Sequence, residues 1–496
     1  LKALDDLVTG PDVLMLLGGA TIITIAHSIW LLIAQGKWKR TWRSHARQSL
    51  KASHLRQRHA DAEERSRLEA ALAFPEEGSD SAANREFEQE EKVSAPIEFA
   101  GQGTAPLGTL SSSPAQVDDS QTELWRPWVD IFISAKNESR VIEQTVRNFF
   151  KLDYDRFLLW VIDDCSTDSM PQVLERLQSE FTRLRVVNRP SKSYPGKSAA
   201  LNEALPLAKG EVIAVFDADA YVAPNFFDLM LPVLQPDHIG AVQAQKKIYT
   251  HQHTNYLCSC QASEYALDTY FQMGRDLIGG AVELRGNGQM VKRAALIDVG
   301  GWNNKSITDD LDLSMRLLIN NWDIRFCPYA HVWEEGVTTI KGWMRQRRRW
   351  AEGSIRRYLD YIFPLNSPTR LSLVERIDTL AFTVYFVVPA LLLIQTSSEI
   401  VTLLMGLPFA DGKLFFFLTL AVFVITQFDV AVAVKIYRDK QMSILRAIWH
   451  SFVVTAYIYG FWVPVITVAF CQILFGKSTS TWHPTEHGKH QLAGQQ

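Results

Sequence analysis

Between residues 128 and 219 short apolar runs alternate with helical stretches, and each run ends in polar residues. No other feature limits the fold as strongly. The spacing predicts a buried strand over 129–134 (VDIFIS), a loop over 135–138 and a helix over 139–150. A second strand over 158–162 ends at Asp163 and Asp164, a helix follows around 171–181, and a third strand covers 184–187. The Gly196-Lys197-Ser198 turn leads into another helix, and a fourth strand over 212–216 (VIAVF) ends at Asp217-Ala218-Asp219. Strand–helix alternation with polar groups at strand C-termini describes an open, mostly parallel α/β sheet that binds its ligand along that edge.

The chemistry at that edge is acidic and cationic together. Asp217 and Asp219 leave an apolar strand side by side, an arrangement suited to a hard divalent cation bridging carboxylates and a diphosphate. Lys197 stands in a Gly-Lys loop, but a phosphate-binding loop of the G-x-x-x-x-G-K-[ST] type would need glycine at Ser191, so that reading fails. Further on, residues 283–361 hold a polar Gly-rich turn (Arg285 to Gly288), an acidic cluster (Asp309, Asp310, Asp312) and a basic run from Gln346 to Trp350. Thr308 is expected to cap a helix with carboxylates in its first turn, and Leu311, Met315 and Leu318 follow at helical spacing. Gln346, Arg349 and Trp350 fall at i, i+3 and i+4, on one helical face. A carboxylate to take a proton, cations for a phosphate leaving group and an aromatic platform are the parts of a transferase.

Composition narrows the class. A net charge of −3 over 496 residues makes no case for nucleic-acid binding. The five cysteines have neither zinc-type spacing nor a disulfide framework, and the Cys258-x-Cys260 pair reads as packing. Apolar residues are unevenly spread. The run 13–33 is about long enough to cross a bilayer once, and Lys37, Lys39, Arg40, Arg43 and Arg47 after it place the following segment in the cytoplasm. The expected organisation is an N-terminal anchor over 1–36, a charged, low-complexity linker over 37–125, a catalytic domain over 126–366, an interfacial segment with about three spans over 367–476, and a tail over 477–496. The spans are expected at 381–395 with Pro389 as a kink, at 414–434, and at 448–475. Gln427 and Asp429 in the second must face protein or a cavity.

The motifs together resemble the family-2 glycosyltransferases, whose catalytic domain has the GT-A fold, over about 126–361. That resemblance implies that Asp164 holds the uridine, that Ala135 to Glu138 line its pocket and that Lys197 approaches the diphosphate. It also implies that Asp217 and Asp219 bind a divalent cation, Mg2+ first and Mn2+ as the alternative. Thr308-Asp309-Asp310 takes the place of the family's Thr-Glu-Asp block, with Asp for Glu at 309, and Asp310 becomes the general base. Gln346-Arg347-Arg348-Arg349-Trp350 is similar to the Gln-x-x-Arg-Trp of membrane-integrated members, in which the arginine meets the diphosphate and the tryptophan borders the acceptor. GGAVELRGNGQMVKR, GGWNNKSITDDLDLSMRL, EEGVT and QRRRWAEGSIRRYLDY resemble, within that family, the cyanobacterial-type monoglucosyldiacylglycerol synthases. This closer likeness implies inverting transfer of glucose from UDP-glucose to 1,2-diacylglycerol at a bacterial inner or thylakoid membrane. The alternative is a processive polysaccharide synthase of the cellulose or hyaluronan kind.

The remaining polar and aromatic residues have plainer readings. Trp302, Trp322 and Trp333 are expected in the core, and His331 as a structural histidine. Arg345, Arg347 and Arg348 are expected to form a solvated patch facing anionic lipid headgroups, each charge worth about 1 kcal/mol there. Glu334-Glu335-Gly336 is open between shaping the acceptor mouth and a simple loop.

Overall fold

The computed structural model describes residues 22–35, 125–190, 193–249, 255–365, 371–384 and 412–475, with isolated positions between them. The expected anchor before residue 22 (Gly19 apart), the expected linker up to residue 124, the expected span over 381–395 beyond residue 384, and the tail lie outside the described residues. After an apolar helix, α1 (Ile22–Gln35), come β1 (Val129–Ala135), α2 (Ile142–Phe149), β2 (Phe157–Asp163), α3 (Met170–Glu180), β3 (Leu184–Asn188), α4 (Lys197–Ala204) and β4 (Val212–Phe216). Each expected strand and helix of this half is present, with ends shifted by a few residues. Beyond it lie β5 (Tyr221–Val222), α5 (Phe226–Leu234), β6 (Ile239–Ile248), α6 (Tyr256–Leu277), β7 (Gln289–Lys292), α7 (Arg293–Asp298), α8 (Asp309–Ile319), β8 (Asp323–Glu334) and α9 (Ile340–Leu365).

The strands form one sheet in the order β3-β2-β1-β4-β7-β6-β8-β5. The β1–β2, β2–β3, β1–β4 and β6–β8 pairings are parallel. The β4–β7, β6–β7 and β5–β8 pairings are antiparallel, so the sheet is mixed in its second half. Alternation along each strand feeds two cores. Ile131, Ile133 and Phe216 pack with α2 and α3 on one face, while Phe132, Ile162 and Val215 pack with Leu201 and Trp302 on the other. Register then fixes the ligand edge. Ala135 pairs with Asp163, Asp163 with Asn188, and Ile133 with Phe216, which brings the ends of β1 to β4 level.

Two helical stretches near the C-terminus, Leu420–Arg438 and Ile444–Ile473, are long and apolar enough to cross a membrane. The first combines α11 (Gly412–Ala433), numbered after α10 at 373–384, with a π-helical turn at Val434–Arg438. The second joins α12 (Ile444–Tyr457) to α13 (Val463–Leu474) through another such turn. Asp429 of α11 faces protein, as expected: it is buried and bonded by Ser28 Oγ (2.8 Å) and Tyr270 OH (3.1 Å).

A buried charge network ties these parts together. His27 of α1 meets Asp378 of α10 at 2.9 Å. The second oxygen of Asp378 accepts from Arg275 Nε at 2.8 Å and from the Ala281 amide at 2.9 Å. Arg275 lies 3.3 Å from Glu283, which also meets Arg357 at 2.7 Å and Arg285 at 3.0 Å. Burial would raise the Glu283 carboxyl, but Arg357, Arg275 and Arg285 outweigh it and hold the group well below the usual carboxylate range. Glu283→Gln would leave three guanidinium groups short of charge in a site closed to water. It is expected to destabilise the detergent-solubilised chain by about 3–5 kcal/mol, read from its unfolding midpoint; an unchanged midpoint would contradict the network's structural role.

Candidate active site

The edge of β1 and β2 carries the first group of expected site residues. The Asp164 amide donates to the Ala135 carbonyl at 2.9 Å, locking the two loops together. The Glu138 carbonyl accepts from the amides of Val141 (3.1 Å) and Ile142 (3.0 Å) and so starts α2. Asp164 is buried, ion-paired with Arg189, and accepts from the Gly196 amide at 3.2 Å. Arg189 also bonds Glu203 at 2.8 Å. No motif in the sequence marks Arg189, although its place one residue beyond the β3 terminus is the same signal that picks out Asp164 and Asp217.

At the end of β4, Lys197 Nζ donates to Asp217 Oδ1 at 2.5 Å and to the Gly286 carbonyl at 3.2 Å. Burial would depress this lysine, but Asp217, with help from Asp309 and Asp310, holds its pKa above the ordinary lysine value. The Asp217 amide donates to Asn287 Oδ1 at 3.2 Å, and Asn287 Nδ2 donates to Glu334 Oε2 at 2.8 Å. Asp219 is buried, and its Oδ2 accepts from the Glu335 amide at 2.8 Å. Glu334 therefore belongs to the site's support: it also takes Tyr265 OH at 2.5 Å and Lys246 at 3.1 Å. Among the described residues no three His, Cys, Asp or Glu side chains converge as a cation cage. Asp217 and Asp219 instead present a two-carboxylate set, which fits a hard cation whose other ligands come from a diphosphate and water.

The second half of the site is built on α8 and α9. Asp310 opens α8 opposite Gly286, where a Cβ would fall 3.3 Å from Asp310 Oδ2. Gly286 has φ +76°, so glycine answers both the close approach and the left-handed backbone. Ser314 Oγ clamps the arrangement, donating to the Asp310 carbonyl at 2.7 Å and accepting from the Leu284 amide at 2.8 Å. Burial first, and the Asp309 charge second, push Asp310 up to about 6, against the pull of Arg285 and Lys197. Asp309 Oδ2 is buried with no hydrogen-bond partner among the described residues, as a group awaiting a polar ligand would be. Arg349 reaches this cluster from α9: burial lowers its pKa, and Asp309, Asp217 and Asp310 oppose that shift.

Two expectations need correction. Thr308 occupies the position before α8, but its side chain makes no capping bond; its methyl and hydroxyl instead crowd Gly353, where a Cβ would lie 2.4 Å from Cγ2. Contact between α8 and α9 takes precedence over the local cap. Arg347 is not part of a solvated headgroup patch. It is fully buried, pairs with Glu264 at 3.0 Å and lies 4.1 Å over the Trp350 ring. The cause is docking of α9 on the apolar helices, where Trp343 Nε1 donates to Tyr457 OH at 2.6 Å and that hydroxyl donates to Glu264 at 2.6 Å. Gln346 accepts a bond from Arg347. Trp350 packs beside Ile248, Cys258, Ala262 and Tyr265, with Lys246 5.6 Å from its ring.

The structure thus gathers Lys197, Asp217, Asp309, Asp310 and Arg349 into one cluster, with Asp219 beside it. Ala135, Glu138 and Asp164 stand along the adjoining strand edge, while Gln346 and Trp350 face the α9–α6 side. Residues 127–353 match the family model described as "Glycosyltransferase like family 2". A protein of Trichormus variabilis named beta-monoglucosyldiacylglycerol synthase is 45% identical over 262 residues, 52% of this chain and 55% of the relative. A protein of the same name from Nostoc sp. is 47% identical over 237 residues, 47% and 50% of the two chains. The chain spans about half the length of these curated relatives. A mannosyltransferase from Pyrobaculum calidifontis, solved in complex with GDP-Man and Mn2+, shares the GT-A fold: TM-score 0.51 at 18% identity, over 71% of this chain and 89% of that one.

Proposed function

We propose that this chain, whose residues 127–353 form a domain of glycosyltransferase-like family 2, transfers glucose from UDP-glucose to the hydroxyl of 1,2-diacylglycerol, giving a β-monoglucosyldiacylglycerol. The observation that carries the reaction class is the cluster itself: a half-buried carboxylate with a raised pKa, Asp310, facing two cations within one acidic pocket. The sugar and acceptor rest on the relatives' names. The setting agrees with them, because α9 carries Arg349 and Trp350 and is docked on α12 through Trp343 and Tyr457. An acceptor whose hydroxyl lies at headgroup depth meets the site there, with the catalytic domain on the cytoplasmic side.

In this reading Asp310 takes the proton of the acceptor hydroxyl as its oxygen attacks the anomeric carbon from the face opposite the diphosphate. The bond from that carbon to the UDP oxygen breaks, and its electron pair leaves with UDP. Lys197 and Arg349 face the negative charge that develops on the diphosphate. Asp164 with Ala135 and Glu138 seats the uridine, Asp309 and Gln346 border the diphosphate and acceptor, and Trp350 walls the acceptor side. Asp217 and Asp219 would hold a divalent cation, Mg2+ or Mn2+, whose positive charge neutralises the leaving diphosphate. No second carboxylate nucleophile is required, so the product is inverted.

Asp310→Asn is expected to lower turnover by a factor of about 10²–10⁴ while UDP-glucose binding stays near that of the parent. For the parent, kcat/KM should rise with pH through about 6 and level off above it, since the base must be ionised. Asp309→Asn removes a like charge, so the acid limb should move to lower pH; a limb that stays in place would deny the coupling.

The substrate assignment is tested with the purified chain, labelled UDP-glucose and diacylglycerol. One chloroform-soluble monoglucosyl lipid is expected, formed only with a divalent cation and lost on chelation. Water-insoluble or high-mass glucan made without added lipid would assign the chain to polysaccharide synthesis instead.

A further inference from the structure

The headgroup-facing charge expected at Arg347 is buried, but another group of cations lies where a membrane surface would be. The parallel pairing of β6 with β8 sets Gln245 beside His331 and Lys247 beside Trp333, so these four share one face of the sheet. The His331 and Trp333 rings meet edge to face at 5.4 Å. Gln245 Nε2 donates to the Tyr437 carbonyl at 3.2 Å, which seats the end of the α11 stretch on this face. Arg438, next in sequence, is drawn aside to Ser259 and Ser263. The following turn is held by Lys435 Nζ on the Lys440 carbonyl at 2.8 Å, leaving Lys440 exposed.

Lys247 is mostly enclosed, yet its charged neighbour is another lysine. Burial pushes it down to about 8, and the Lys440 charge adds to that. Burial, then Lys247 and Lys440, push His331 down to about 4, so its ring is neutral at pH 7. Among the described residues no carboxylate pairs with Lys247 or Lys440; Asp439, the acid of the turn, accepts from the Gln441 amide at 2.9 Å. The exposed Lys440 and the part-buried Lys247 act on each other as like charges, and an anion between them would relieve that repulsion. The turn that carries Lys440 joins Leu420–Arg438 to Ile444–Ile473, the two stretches long enough to cross a membrane. A turn between two such stretches lies at headgroup level when they cross a membrane.

We infer that Lys247 and Lys440, beside the neutral ring of His331, form a binding site for a phosphate-type anion, supplied by the headgroup of an anionic phospholipid. Such a site anchors the β6–β8 part of the sheet to the membrane surface, on a different sheet face from the Lys246–Glu334 pair beside the reaction centre. Its test needs no nucleotide sugar, so its failure is separate from any failure of the proposed glucosyl transfer. The full chain in neutral detergent is titrated with phosphatidylglycerol, phosphatidylcholine or inorganic phosphate, and adducts are counted by native mass spectrometry. Phosphatidylglycerol should bind well ahead of phosphatidylcholine. The Lys247→Gln/Lys440→Gln variant should lose affinity for it by about thirtyfold, roughly fivefold per charge. Lys247→Met should raise the lipid-free unfolding midpoint, by removing an unpaired enclosed cation, and lose the further rise that phosphatidylglycerol gives the parent. Equal binding of the two lipids, or equal affinity in parent and double variant, would overturn the site. Displacement of the lipid by inorganic phosphate at matching concentration would overturn the lipid assignment in favour of a free phosphate.

Discussion

Charge balance around Lys197 is the constraint on which the site depends. Three carboxylates, Asp217, Asp309 and Asp310, come from two separate parts of the chain and share a pocket with Lys197 and Arg349. Like charges in an enclosed space repel strongly, so the arrangement holds only because Lys197 bonds Asp217 and the Gly286 carbonyl together. The same lysine thus joins the β4 end to the turn that touches Asp310. Burial, and then the Asp309 charge, raise the Asp310 pKa against the pull of Lys197 and of Arg285, whose own charge is shared with Asp268 and Glu283.

The support for this pocket extends far from it. Arg285 precedes Gly286 and is held by Asp268 at 2.8 Å and by Glu283 at 3.0 Å. Glu283 is held in turn by Arg275 and Arg357, and Arg275 by Asp378, which meets His27 of α1. Charges buried this completely persist only when every member is paired. The N-terminal helix is therefore part of the frame behind the reaction centre as well as an apolar segment.

The first half of the fold was legible because VDIFIS, FLLWVID and VIAVF are short apolar runs ending in acids, a pattern with few alternatives. The β6 and β8 strands gave no such signal. IGAVQAQKKI holds glutamines that look solvated but are buried, Gln243 bonding the Asn287 carbonyl at 2.9 Å and Gln245 that of Tyr437. Polar strand residues spent on loop carbonyls disguise a central strand as a surface one. The acidic cluster and Arg349 were readable from spacing, whereas Arg347 was not. Its burial follows from Glu264, some eighty residues earlier, and from Trp343 and Trp350 on its own helix. Local charge density in QRRRW carries no information about that partner. Arg189 and the Glu283 network are invisible for the same reason: each becomes intelligible only once distant carboxylates are brought beside it.

The central claim is a single displacement at the anomeric carbon, with Asp310 as base and no glycosyl-enzyme intermediate. The configuration of the new linkage tests it most directly. UDP-glucose carries its sugar in the α configuration, so proton NMR of the first lipid product, taken before any equilibration, should show a β-glucoside alone. An α-glucoside would mean retention, and would contradict both Asp310 as the base and attack from the face opposite the diphosphate.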